Sequence, residues 1–208
     1  MTAEPFIKRP FDFMLALLGL VLSSPLWLIL PLAIYLEDRG PPLFFQERSG
    51  RGGRVFHIVK FRTMKPVAKG EPPHRAVDME KDARVTRVGK GLRAIALDEL
   101  PVLINILKGD MSFVGPKPLP YKIDGWERMR YDNIAQVPGY HIRSQVKPGL
   151  TGIAQIYAGK NAGPSYSRRF HYDNLYVEGM SFWLDLKLIF LSFWITFRGK
   201  WESRGRKV

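Results

Sequence analysis

The chain has 208 residues, which suits one domain with a substantial core, and it contains no cysteine, so disulfides, zinc–thiolate sites and thiol nucleophiles are excluded. Its formal net charge of +13 predicts an anionic partner: nucleic acid, acidic lipid or a phosphorylated ligand.

The apolar residues narrow that choice. Phe11 to Tyr35 is almost wholly apolar, with Asp12 as its one charge, and is long enough to cross a hydrocarbon core as a helix. No small-residue cleavage site follows, because Pro31 to Leu36 runs straight into Glu37, Asp38 and Arg39. The stretch therefore reads as a retained membrane segment, which argues against an ordinary soluble nucleic-acid binder. Ser23, Ser24 and Pro25 interrupt it near the middle, and Pro31 follows. A proline inside a helix removes a hydrogen bond and clashes with the preceding turn, so a kink is expected at Ser24-Pro25, with serine hydroxyls satisfying the freed carbonyls. Both flanks are basic: Lys8 and Arg9 precede the segment, and Arg39, Arg48, Arg51 and Arg54 follow it. The positive-inside rule then gives no direction of crossing. A helix-break-helix that dips into the bilayer and returns to the same face resolves the conflict; one kinked spanning helix is the alternative.

Further along, Leu43 to Gln46 reads as a short strand, Arg48 to Arg54 as a glycine- and arginine-rich turn, and Val55 to Phe61 as a second strand. Pro66 to Asp82 is polar and rich in proline and charge, the composition of a mobile surface loop. Helices are expected from Arg84 or Gly89, with a break, to Leu107. Gly109 to Pro120 and Lys147 to Gly152 read as turns, Trp126 to Gln136 as a short helix, and Tyr166 to Val177 as a helix. Met180 to Phe197 is the second hydrophobic segment. It carries Asp185 and Lys187 within it and tryptophans at 183 and 194, which suits a helix lying on the membrane surface; a buried core helix is the competing reading. The basic end from Arg198 suits anionic lipid or plain solvation.

The chemical candidate is Leu97-Asp98-Glu99-Leu100-Pro101. Proline is tolerated in a first helical turn, so a helix is expected to start close to Asp98. Two acids at a helix start are common without any chemistry, and the pair gains weight only from its surroundings. Lys90 and Arg93 precede it, and a run of base, glycine and proline from Lys108 to Pro118 follows, where Gly115 and Pro116 would fix a tight turn that leaves Lys117 facing an anion. The four histidines, His57, His74, His141 and His171, show no metal-ligand spacing.

Taken together, Ser24-Pro25, Gln46-Glu47-Arg48, Lys60-Phe61-Arg62-Thr63-Met64, Leu97-Asp98-Glu99-Leu100, the run Asn105 to Pro116 and Lys147-Pro148-Gly149-Leu150-Thr151-Gly152 occur in an order that resembles the catalytic domain of the monotopic phosphoglycosyl transferases, the bacterial sugar transferase family. The resemblance covers nearly the whole chain, in the family's minimal form, and Asn105 to Pro116 is its most specific part. It implies a mixed α/β, mostly helical fold with a re-entrant helix broken at Ser24 and Pro25, amphipathic interface helices and a small sheet. Residues 1–38 would be the tail and re-entrant helix, and 39–208 the cytoplasmic catalytic region of the same single domain, with an interface helix at about 180–197 and a basic tail at 198–208.

The resemblance also implies a transferase at the bacterial inner membrane, its active site facing the cytoplasm. It would pass a sugar-1-phosphate from a UDP-sugar to undecaprenyl phosphate with magnesium, through a phosphosugar bound to the enzyme. By resemblance Asp98 is nucleophile and metal ligand, Glu99 its dyad partner, and Lys60, Arg62, Arg93, Lys117, Arg143, Lys147 and Asp173 the substrate- and phosphate-binding set. Membrane lipid is an implied partner, nucleic acid is not, and association of copies of the chain is left open. Lys117 stands where the family commonly has arginine, keeping the charge but losing a bidentate grip on phosphate, and Ile153 stands where tryptophan is common. Composition alone supports a different class, a non-enzymatic peripheral protein binding acidic lipid or nucleic acid, but that reading gives Asp98 and Glu99 nothing to do.

Overall fold

A computed structural model describes residues 4–65, 82–120, 134–157 and 166–198. The first hydrophobic segment forms two helices, α1 (Lys8–Leu22) and α2 (Leu26–Asp38), bent by 65° where Ser23, Ser24 and Pro25 break the chain. The break forms because Pro25 cannot donate to the preceding turn. Ser23 makes it tolerable in apolar surroundings: its hydroxyl donates to the Gly19 carbonyl at 2.6 Å and accepts from the Trp27 indole at 3.2 Å. At ~1.5 Å per residue the arms of 15 and 13 residues are each about 20–22 Å long, less than a hydrocarbon core of ~30 Å. No single described helix is long and apolar enough to cross a membrane; the bent pair together is. Leu18, Val21 and Leu22 on α1 and Leu28, Leu32 and Leu36 on α2 are exposed.

Both ends of this pair are fastened to the same folded body. At the start of α1, the Arg9 guanidinium donates to the Ile106 and Leu107 carbonyls at 2.6 and 2.7 Å. At the end of α2, Asp38 pairs with Arg62, one of the two bonds being 2.8 Å, and the Glu37 carboxylate accepts from the Arg87 and Val88 amides at 2.6 and 3.0 Å. Those amides open α3 (Arg87–Ala94), so Glu37 satisfies donors that a helix start leaves unpaired.

The hairpin is formed by β1 (Leu43–Ser49) and β2 (Val55–Phe61), antiparallel, with Phe44 opposite Lys60 and Arg48 opposite Phe56. A 3-10 turn at Arg51–Gly53 closes it, Gly52 and Gly53 taking the positive φ that side chains resist. After α3 come a 3-10 turn at Leu97–Glu99 and then α4 (Val102–Lys108). The α-helix thus starts four residues later than expected from Asp98. Pro101 is its N-cap, and the left-handed Ala96 (φ 56°) turns the chain into the acidic pair. Asn105 of α4 seals the free edge of β2: its carboxamide accepts from the Val59 amide at 3.0 Å and donates to the His57 carbonyl at 2.8 Å, replacing a neighbouring strand.

The two segments expected to be turns hold strands instead. β3 (Ser112–Val114) and β5 (Gly149–Thr151) pair in parallel, and β4 (Leu119–Pro120) adds to the free edge of β1. Three residues are too few to show a period of two, so glycine and proline dominated the reading. The glycines are there for close approach: a Cβ on Gly115 would sit 2.5 Å from the Lys147 carbonyl oxygen, and one on Gly149 would overlap the Gly115 amide. The remaining helices are α5 (Tyr140–Arg143), α6 (Ile153–Tyr157), α7 (Tyr166–Glu178) and α8 (Phe182–Phe197). Val102, Ile106, Val114, Tyr176, Leu188 and Ile195 are among the main core.

A buried ionic group crosses that core. Lys8 donates to Asp185 at 2.5 Å, to the Tyr176 hydroxyl at 3.1 Å and to the Val114 carbonyl at 3.0 Å, and Tyr176 donates to Asp185 at 2.7 Å. Asp185, inside the second hydrophobic segment, is therefore neutralised by Lys8, which begins α1 just ahead of the first. The opposite side of α8 is bare: Trp183, Phe190, Phe193 and Phe197 are exposed. The expected loop from Pro66 and the expected helix from Trp126 lie almost wholly outside the described residues, as does the basic tail; Ile134–Gln136 is a single 3-10 turn.

Candidate active site

Asp98 and Glu99 occupy successive positions of the 3-10 turn. With about three residues per turn, their side chains diverge by roughly 120°, and their surroundings differ accordingly. Glu99 is ion-paired with Lys60, which projects from β2. Burial alone would push the Glu99 carboxyl up, but Lys60, Lys117 and Arg48 together hold it below its ordinary value. Asp98 makes no ion pair among the described residues; burial and the charge of Glu99 push it above its ordinary value of 3.8, against the opposite pull of Lys60 and Arg93. The arrangement separates the two acids, one committed to cations and one left available for chemistry.

Lys117 follows the tight Gly115-Pro116 turn, and two arginines hold that loop by its backbone. Arg143 donates to the Lys117 carbonyl at 2.6 Å, and Arg48 approaches the Pro118 carbonyl at 3.4 Å. The Lys117 side chain is exposed along one side. Desolvation by the protein around it still lowers its pKa; Glu99 opposes that, while Lys60, Arg169 and Arg48 add to it. Arg93, from the last turn of α3, donates its Nε to the Thr63 hydroxyl at 2.9 Å.

Of the candidates from sequence, Lys60, Arg93 and Lys117 thus surround the acidic pair. The other four lie elsewhere. Arg62 is buried and grips Asp38 and, at 2.6 Å, the Pro41 carbonyl, fixing the exit of α2. Arg143 and Asp173 form a buried pair at 2.9 Å that supports the Lys117 loop from behind, and the Arg143 guanidinium lies 4.8 Å from the Phe170 ring centroid. Lys147 lies toward the start of the chain; its backbone amide donates to Glu4 at 3.2 Å, and desolvation, with Arg9 nearby, lowers the pKa of its side chain. Ser24 and Pro25 are at the helix break. Two cations were missed. Arg48 belongs to the Gln46-Glu47-Arg48 motif, and sequence alone shows it only as charge flanking the first hydrophobic segment. Arg169 lies one helical turn before Asp173 on α7, and that i, i+4 spacing was its signal.

Among the described residues, no group of three or more His, Asp or Glu side chains could hold a metal ion. The hard oxygen donor the site offers is Asp98. That fits magnesium, which takes one or two protein carboxylates and fills its shell with phosphate oxygens and water.

The bacterial sugar transferase family profile matches residues 3–199. The UDP-glucose:undecaprenyl-phosphate glucose-1-phosphate transferase of Caulobacter vibrioides is 42% identical over 185 residues, covering 88% of this chain and 66% of the relative. The UDP-N-acetylgalactosamine-undecaprenyl-phosphate N-acetylgalactosaminephosphotransferase of Aeromonas hydrophila is 40% identical over 188 residues, 89% of this chain and 42% of its own. The exopolysaccharide production protein ExoY of Sinorhizobium fredii is 37% identical over 196 residues, 88% of this chain and 82% of its own. The chain spans less than two thirds of the length of the first two relatives.

Proposed function

The chain belongs to the bacterial sugar transferase family, and from that premise we propose that it transfers a sugar-1-phosphate from a UDP-sugar to undecaprenyl phosphate, as the first membrane step of glycoconjugate assembly. The observation that carries this reading is Asp98, a carboxylate outside any ion pair among the described residues, in a turn ringed by Lys60, Arg93 and Lys117.

A carboxylate oxygen of Asp98 attacks the sugar-side phosphorus. A new P–O bond forms, the P–O bond to uridine monophosphate breaks, and that leaving group departs with the electron pair. A phosphate oxygen of the lipid acceptor then attacks the same phosphorus and releases Asp98 as a carboxylate. Atoms and charge balance without an added proton. Lys60 and Arg93 stabilise the transferred phosphoryl group, each such contact contributing about 3–4 kcal/mol to the barrier reduction. Glu99 acts through Lys60, holding its ammonium in place. Magnesium on Asp98 would offset the repulsion between carboxylate and diphosphate.

Membrane placement is part of the proposal. Two ends of one helical pair fastened to a single body support a re-entrant path better than a spanning one, because a spanning helix would carry one end away from that body. The bare apolar faces of α1, α2 and α8 would enter the lipid of the bacterial inner membrane, and the turn bearing Asp98 would face the cytoplasm.

The test is mass spectrometry of the protein mixed with a panel of UDP-sugars. A phosphosugar adduct on Asp98 is expected with the true donor, together with release of uridine monophosphate once undecaprenyl phosphate is added. Asp98→Asn should abolish the adduct and lower turnover roughly a thousandfold or more, while membrane binding persists. A variant that still made lipid-linked sugar at the original rate would end the proposal.

A further inference from the structure

The Gln46-Glu47-Arg48 motif remains without a role. Side chains alternate along a strand, so Phe44, Gln46 and Arg48 share one face of β1, and Phe44 stands directly opposite Lys60. That face changes character along its length. Phe44, at the end nearest α2, is exposed. Gln46 is half-buried and bonded to Arg48. Arg48 lies four residues further on, about 13 Å at 3.3–3.4 Å per residue. Its guanidinium is fixed by Gln46 and by the Pro118 carbonyl, yet its Nε is buried and meets no acceptor among the described residues. A buried donor without a partner is costly. Arg48 reaches the residue after Lys117, and Lys117 in turn feels Arg48, Arg169 and Lys60 as like charges and Glu99 as the opposing carboxylate; Tyr166 and Glu99 are the groups that act on Arg48 itself.

We propose that Arg48, with Lys117 and Arg169, forms a second anion seat, distinct from the one between Lys60 and Arg93, and that it holds the nucleotide-side phosphate of the donor, the one that leaves as uridine monophosphate. This rests on the transferase reading above. Its direction comes from the strand: the apolar Phe44 end adjoins the lipid-facing helix α2 and is where a polyprenyl acceptor arrives, so the Arg48 end is left to the water-soluble nucleotide. Two seats joined by Lys60 suit a diphosphate, whose bridging P–O bond is the one that breaks. An arginine prepositioned on the leaving phosphate stabilises the charge gained on departure.

Calorimetric titration of the full chain in detergent with UDP and with uridine monophosphate tests this without requiring turnover. Arg48→Gln should weaken both ligands roughly ten- to a hundredfold, the loss of a charge-assisted contact, with Arg48→Lys falling between. Arg169→Gln, at an exposed position, should weaken them several-fold, and it keeps the question answerable should Arg48→Gln lower the melting temperature. The KM for undecaprenyl phosphate should stay within about twofold in Arg48→Lys. UDP affinity unchanged in both Arg48→Lys and Arg169→Gln would overturn the seat, as would a larger effect on the lipid acceptor than on the nucleotide. The two readings separate cleanly. Arg48-dependent UDP binding with no adduct on Asp98 sinks the transferase and spares the nucleotide seat; normal turnover with Arg48-independent binding does the reverse.

Discussion

Lys8→Met should destabilise this protein far more than most surface changes, and Asp185→Leu should rescue it. Lys8 and Asp185 have side-chain exposures of 5% and 4%, and their ion pair is 2.5 Å long. Removing Lys8 leaves a buried carboxylate with the Tyr176 hydroxyl as its remaining donor. Breaking a buried pair from one side costs about 3–5 kcal/mol. For a chain of this size each kcal/mol moves the melting temperature by roughly 2–4 °C, so the single change should lower it by ~6–20 °C. The double variant Lys8→Met/Asp185→Leu removes both members of the pair and leaves the buried Asp12 on the Phe113 amide, and pairs replaced by apolar residues of similar size are commonly neutral or better. It should recover most of the loss. In the double variant Tyr176, freed from Asp185, donates its one proton to the Val114 carbonyl in place of Lys8. Thermal unfolding in detergent, read as a double-mutant cycle, is the assay. Single changes that add without coupling, or a Lys8→Met melt within 2 °C of the parent, would refute the argument that this pair joins α1 to α8.

Two further outcomes follow from the site and the helix pair. Asp98 has to be ionised to attack, so turnover should rise with pH through a value above the ordinary 3.8. Because Lys60 pulls Asp98 down, Lys60→Met should move that acidic limb to higher pH; a limb that stays put or moves down would remove Lys60 from the nucleophile's surroundings. The chain lacks cysteine, so single cysteines at Thr2 and at Pro41 can report topology. In intact cells both should resist an impermeant thiol reagent, and labelling of Thr2 alone would establish a spanning helix.

The sequence alone carried the helix break, because proline in an apolar run acts locally. It also carried the seven-residue second strand of the hairpin, the first half of β1, and the acidic pair, which stands out among bases; Arg48 and Ser49, expected in the glycine-rich turn, extend β1 instead. It did not carry β3 and β5, whose paired residues lie 37 apart in sequence and which show there only the glycines their close approach requires. Nor could it sort the cations. Lys60, Arg62, Arg143 and Lys147 look alike in a basic chain, since any of them would suit a phosphate. Their partners come from distant segments: Glu99 for Lys60, Asp38 for Arg62, Asp173 for Arg143, and Glu4 beside the Lys147 backbone. A charge acts on what folding places within a few ångströms of it, and for these side chains that was decided by tertiary packing.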